Sequence, residues 1–396
     1  MRSAPPEPLV VRAAWLLDGS GGDAVAEAAL WLRDGRVAWA GPAAALPESA
    51  HELPVLDLPG CTLLPGLVDT HVHLVASAAP ELASGIPGTE AERVLAAVAN
   101  ARRHLDQGVT LVRDLGAPGV EAITLARAVE QGTVEGPRIV AAGPAITMTG
   151  GHIPYLGRIA DGVEAVRAAV RANLGLGARC IKVVATGGVL TPGLDPTRAA
   201  YTQAELDALV EEAHRLGLRV AAHAIGGDGV VAALRAGVDS VEHGMILDEA
   251  GVGQLRASGA RYTPTFCAAE GIIEGPSAPA WIKERARPAG AALASSFAAA
   301  VAAGVRVTAG TDAGTPDNPH GRVAQEVAFM VKAGLDPRAG IRAVTAEAAD
   351  LLDEPERGRL RPGAVADVLA VHGDPLADIT ALQRPAAVFL AGRRVR

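Results

Sequence analysis

Thr202-Gln203-Ala204-Glu205-Leu206 opens, and Leu216-Gly217-Leu218-Arg219-Val220-Ala221-Ala222-His223 closes, one complete helix-to-strand unit. Thr202 is a helix N-cap residue, and Glu205 three positions later completes a capping box, each side chain accepting the other's otherwise orphaned N–H. Leu206, Leu209, Val210, Ala213 and Leu216 recur at helical spacing and share one face, and Gly217 supplies the stop. Arg219–His223 then reads as a buried strand. The unit is one half-turn of an alternating fold.

Working outward, the same alternation runs from about Cys61 to Asp350. Its short β-branched runs are Thr62–Leu74, Val109–Asp114, Arg138–Ala142, Cys180–Ala185, Arg219–His223, Asp239–His243, Arg261–Phe266 and Val305–Asp312. Eight such units, each followed by an Ala/Leu-rich helical stretch, predict an α/β fold of the (β/α)8 TIM-barrel type. The two ends read differently. Short strands punctuated by Asp18-Gly19, Asp34-Gly35 and Gly41-Pro42 fill the N-terminal segment, and Ala366–Val371 and Val388–Leu390 flank a Gly373-Asp374-Pro375 turn near the C-terminus. Neither end suffices for a sheet alone. The expectation is one small β-sandwich built from both termini, with residues 1–60 and 356–396 flanking a barrel of 61–355.

Composition bounds the rest. A chain of 396 residues suits a large barrel with an accessory domain, and 49% hydrophobic residues can bury a large core. With aromatics at only 3%, that core must be aliphatic. The net charge of −8 and the absence of a basic cluster exclude a nucleic-acid or anionic-membrane surface. Cys61, Cys180 and Cys267 are scattered, which argues against a disulfide framework or a thiolate metal site. No stretch reaches the ~18 apolar residues of a membrane span, and no leader precedes the first turn, so a cytoplasmic protein is expected.

The chemistry concentrates at strand ends. In His71-Val72-His73, residues two apart on a strand face the same way, so both imidazoles point into the barrel. Paired imidazoles on a rigid strand make half of a divalent-metal site. A bare His-x-His also arises by chance, but catalytic groups of such barrels sit at the C-terminal strand ends, and this one does. His223, His243 and Asp312 end the fifth, sixth and eighth runs. One such histidine reads best as a hydrogen-bonded core residue. Four with an aspartate on one face need a common partner, because unpaired buried polar groups are costly. Lys182 lies mid-run in Ile181-Lys182-Val183, where an ammonium should not be buried alone. Either it faces outward or pairs with a carboxylate, or its neutral amine has taken up CO2 as a two-oxygen carbamate.

The His-x-His after Leu64-Pro65-Gly66-Leu67-Val68-Asp69, the Ile-Lys-Val strand with Gly187-Gly188 after it, the two later histidines and Gly310-Thr311-Asp312-Ala313-Gly314 together resemble the amidohydrolase superfamily. Within it the chain is similar to the branch of imidazolonepropionases and prolidase-like dipeptidases, nearly end to end. The resemblance implies two divalent metal ions, zinc by default, with His71, His73 and Asp312 on one, His223 and His243 on the other, and carboxylated Lys182 bridging them. It further implies a metal-bridging hydroxide attacking a carbonyl, with Asp312 passing a proton to the leaving amine.

His152, in Thr149-Gly150-Gly151-His152, matches a loop histidine that in similar enzymes aids the substrate carbonyl; the alternative is a loop residue without a role. His320, in Asn318-Pro319-His320-Gly321, is a weaker substrate candidate. Similar dipeptidases carry a tyrosine soon after the sixth-strand histidine to hold the substrate carboxylate, whereas here Met245-Ile246 follow His243-Gly244. Tyr155 and Arg158 are the candidates left for that task. The expected partner is a small-molecule substrate such as a dipeptide or N-acyl amino acid. A ring-opening amidase or lactonase, and a metal-retaining binding protein without turnover, are the alternatives. Such barrels often pair, so a homo-oligomer is also expected. The segments 76–87 and 275–288 are the expected lids.

Overall fold

In a computed structural model, which describes residues 6–86 and 88–396, sixteen strands follow in chain order. They are β1 (Leu9–Leu16), β2 (Val25–Arg33), β3 (Arg36–Pro42), β4 (Val55–Pro65), β5 (Leu67–Val72), β6 (Val109–Asp114), β7 (Arg138–Ala141) and β8 (Ala145–Thr147). The second half holds β9 (Gly157–Ile159), β10 (Cys180–Val184), β11 (Arg219–Gly226), β12 (Ser240–Ile246), β13 (Arg261–Thr263), β14 (Val368–His372), β15 (Pro385–Leu390) and β16 (Arg393–Arg394).

The central strands are parallel and largely buried, apart from the edge strand β9. They form a three-stranded sheet, β5-β6-β7, and a six-stranded sheet, β13-β12-β11-β10-β8-β9. Backbone bonds tie the two together on both sides: Arg179 N–H donates to the Ala141 carbonyl, and Thr70 N–H to that of Ala309 (2.9 and 3.0 Å). The Val305–Asp312 run forms no regular ladder; single parallel bridges, Tyr262 with Val307 and Val72 with Ala313, hold it between β13 and β5. The helix Gln203–Arg215 has the expected Thr202/Glu205 capping box and buries Leu206, Leu209, Val210 and Ala213.

Both termini enter one hydrogen-bonded seven-stranded sheet, β16-β15-β14-β4-β1-β2-β3, rather than two separately bonded layers. Its alternate residues, among them Val11, Leu30, Leu63, Val368 and Phe389, bury a core of their own. The expected edge at residue 60 falls inside β4, which pairs with both β1 and β14. The run Thr62–Leu74 is accordingly two strands, broken at Gly66. A Cβ there would lie 2.2 Å from Thr110 Oγ1, so only glycine lets the chain pass this close to β6 as it leaves one sheet for the other.

The expected lids are partly wall. The helix Ala280–Ala302 takes up residues 280–288, and its Ile282 and Ala286 pack on Val189 and Ile272. In the 76–87 segment, Leu82 is buried and Ala83–Gly85 form a 3-10 turn, while Pro87 lies outside the described residues.

Candidate metal centre

His71, His73, Lys182, His223, His243, Asp312 and His152 all line one cavity of about 480 Å³ at the C-terminal ends of the parallel strands. They come from six places: the end of β5 for His71 and His73, then β10, β11 and β12, the segment between Val307 and Ala313, and the loop from β8 to β9. The strand pleat explains the first pair, whose ring centroids are 5.5 Å apart. Backbone strain explains others. His243 and Asp312 have φ of 76° and 55°, in the left-handed region that only glycine enters freely. Thr265 and Ile153, β-branched neighbours of the cavity, also stand there at 55° and 46°. Ordinary strand geometry would turn these side chains elsewhere.

Every imidazole has one nitrogen fastened behind the cavity. His71 Nδ1 donates to Glu242 Oε2 at 2.9 Å, His73 Nδ1 to the Gly116 carbonyl at 3.1 Å and His223 Nε2 to the Gly187 carbonyl at 2.8 Å. His243 Nδ1 shares a 2.8 Å bond with Thr265 Oγ1. The opposite nitrogens of His71 and His73 turn toward Asp312, an arrangement in which outer partners orient metal-binding histidines. Ligand atoms of His71, His243 and Asp312 lie within 4.8 Å of one another, and His73 Nε2 is 3.2 Å from Asp312 Oδ1.

Protonation suits a cation too. Burial, then the Lys182 charge, holds His71 down to about 4 and His223 to about 3, so both are neutral donors at neutral pH. Asp312 keeps its charge: burial would raise it, but His71 and His73 outweigh that and lower it. Lys182 is 1% exposed, and burial pulls its amine down to about 8. Among the described residues no hydrogen bond or ion pair is made to its nitrogen. The donor set fits a divalent-metal centre: a carboxylate, one amine with no protein partner, and imidazoles, three of them held neutral by burial while burial of His73 is outweighed by Asp312, which raises it.

Lys182 faces the cavity, so neither the outward lysine nor the buried ion pair applies. His152 also belongs to the cavity wall. Its Nδ1 lies 2.9 Å from Thr191 Oγ1, and Gly188 makes room for the ring, since a Cβ there would come within 2.4 Å of it. Tyr155 lies outside this cavity, in an adjoining hollow. His320 does not reach the cavity wall. Its Nε2 donates to the Ala76 carbonyl and its Nδ1 accepts from His104 at 3.0 Å, which spends both nitrogens on structure. Arg158 lines neither space.

Sequence reading passed over the outer partners. Arg113, fully buried, donates to the Thr70 carbonyl, Ser240 Oγ and Glu242 Oε1. Arg113 and Glu242 lie mid-strand, the same signal that singled out Lys182. Arg285, on the helix 280–302, gathers the carbonyls of Gly188, Thr191 and Leu194 and so fixes the loop that holds His152 and His223. Nothing in its local sequence marks it.

The amidohydrolase family profile matches residues 62–395. An ochratoxinase of Aspergillus niger is 33% identical over 96% of this chain and 84% of its own. An imidazolonepropionase of Salinispora tropica is 28% identical over 87% and 85%. Among solved structures, a Xaa-Pro dipeptidase with bound methionine superposes with a TM-score of 0.91 at 31% identity, covering 98% of this chain and 100% of that one. A prolidase complexed with N-methylphosphonate-L-proline gives 0.89 at 27%, over 98% and 99%.

Proposed function

The chain belongs to the amidohydrolase family, and from that premise we propose a two-metal hydrolase that adds water across the C–N bond of a small amide, yielding a carboxylic acid and an amine. We read its parallel sheets, with the bridges at Val307 and Ala313, as a closed (β/α)8 barrel. One metal would be held by His71, His73 and Asp312, the other by His223 and His243, with Lys182 between them. Zinc is the default for such donors. When bound, divalent ions supply Lewis-acid polarisation and water activation.

The observation that carries this reading is Lys182, buried without a protein partner among carboxylate and imidazole donors. Its neutral amine would attack CO2, lose a proton and become a carbamate, an anion whose two oxygens could serve as metal ligands. Asp312, charged and at the cavity, is placed to take a proton from the attacking water and hand it to the leaving nitrogen. Thr191 Oγ1 already accepts from Ile153 N–H. Its own proton is then free for His152 Nδ1, which leaves His152 Nε2–H as a donor for the substrate carbonyl oxygen. The names of the similar dipeptidase and prolidase support amide-bond chemistry.

Elemental analysis of chelator-free protein tests it. About two transition metals per chain are expected in the wild type, falling to one or fewer in Lys182→Ala, with at least about a 100-fold loss of amidase activity. One metal in both proteins would sink the bridged pair.

A further inference from the structure

The hollow beside the metal-lined cavity has a volume of about 640 Å³ and is walled by Leu82, Pro154, Tyr155, Leu190, Trp281 and Ile282, among others. Leu82 and Leu190 line both spaces, so the two meet at that pair of side chains. The inner cavity continues the apolar surface with Ile153, Val189, Ile225, Met245 and Ile272. Among the described residues of the two linings, the one cation is Lys182, already assigned to the metals. The one acid of the hollow is Glu81. A substrate carboxylate entering here would lose its water for no cation, only hydroxyls such as that of Tyr155, and would meet the like charge of Glu81; an apolar group would gain from the aliphatic walls.

We propose that the substrate is an amide with an extended, uncharged apolar acyl group, which runs from the metal centre between Leu82 and Leu190 into the hollow and ends against Tyr155 and Trp281. This rests on the amide-hydrolase reading of the same site. It departs from a dipeptide or N-acyl amino acid presenting a free carboxylate on that side. Leu190 and Trp281 are then specificity-determining residues. The walls come from the 76–87 segment, the β8–β9 loop, the β10 loop and the helix 280–302, so all four contribute to one selectivity filter.

The test uses the metal-loaded enzyme and p-nitroanilides of straight-chain acids from acetyl to octanoyl, each matched with an acyl chain of equal length ending in a carboxylate. The expected kcat/KM rises about fourfold per methylene until the hollow is full. Carboxylate-ended chains should lag by at least about 100-fold. Trp281→Ala should flatten the rise, and Leu190→Lys, a half-exposed position that tolerates the change, should narrow the charge preference by roughly tenfold. A flat series, or faster carboxylate-ended chains in the wild type, overturns the proposal. If no anilide turns over, the amidase reading fails separately, and the hollow is then read by fluorescence. Trp281 is the one tryptophan outside the terminal sheet, since Trp15, Trp31 and Trp39 lie in β1 to β3. Quenching by octanamide but not by its carboxylate-ended analogue upholds the apolar hollow; equal response or none overturns it.

Discussion

The two halves of the proposed metal centre are fastened by different means. Behind His71 stands a charged chain, Glu242 and then Arg113, all buried, with Glu242 held well below the usual carboxylate range because Arg113 and the His71 bond outweigh its burial. Behind His223 and His243 stand a backbone carbonyl and a threonine hydroxyl, both neutral. Thr265 is followed at once by the helix Phe266–Glu274. Its first N–H groups are taken by Glu326, a buried carboxylate with no ion pair among the described residues. A carboxylate behind an imidazole raises its basicity as a ligand; a neutral partner mainly fixes the ring. The His71 half should therefore bind its metal more tightly, and the other should exchange more readily.

The charged chain is the more fragile under mutation. Arg113→Met leaves Glu242 buried and uncompensated, with an expected loss of about 3–5 kcal/mol in urea unfolding. The double change Arg113→Met with Glu242→Leu should recover most of that stability while metal retention by the His71 half stays weakened. A double variant no more stable than the single would show that Arg113 acts through packing rather than charge.

This contrast was only half legible in the sequence. The candidate ligands were, because His71-Val72-His73, His223, His243 and Asp312 lie at the ends of apolar runs; strand periodicity fixes the direction of the first pair only. The fold was legible for the same reason, one helix cap and one buried run at a time. The outer shell was not. Arg113 and Glu242 are 129 residues apart, and their meeting depends on which strands lie across the interior from each other. Arg285 depends on a loop nearly a hundred residues away. The left-handed backbone at His243 and Asp312 leaves no mark in residue type, since neither is glycine. His320 shows the opposite case: a histidine after the last strand reads as a substrate contact until its two nitrogens are traced to Ala76 and His104.

Glu326 sharpens the comparison through pH. Burial raises its pKa from the ordinary 4.5 to about 8, against the lowering effect of the two backbone N–H donors. The folded state thus binds this proton more tightly than the unfolded state. Stability from this group is fully present below pH 4.5 and is lost as pH rises towards 8. Glu326→Gln should flatten the fall across that window, a difference of a few kcal/mol at its upper end. Parallel stability–pH curves for wild type and variant would remove Glu326 as the cause.

Chelation addresses the halves directly. Stepwise dipicolinate titration of the metal-loaded protein should release one ion before the other. Thr265→Val keeps the size of the side chain but removes the hydroxyl from His243 Nδ1. The early step should then move to about 10–100-fold lower chelator concentration, while the late step stays in place. A shift of both steps together would mean that the two halves are not independently fastened.

Gly188→Ala probes the smallest difference, between holding a metal and meeting the substrate. The added Cβ would come within 2.4 Å of the His152 ring, which must swing away and give up its place on Thr191 Oγ1. Fastenings for His71, His73 and His243 lie on other elements, so the metal count should stay at two. His152 would no longer present its donor to the carbonyl, and kcat/KM should fall by about tenfold, carried by kcat rather than KM. A fall in KM affinity with kcat preserved would assign His152 to substrate binding. Loss of metal would show instead that the ring's stacking on His223, at 4.7 Å between centroids, is part of what keeps the weaker half assembled.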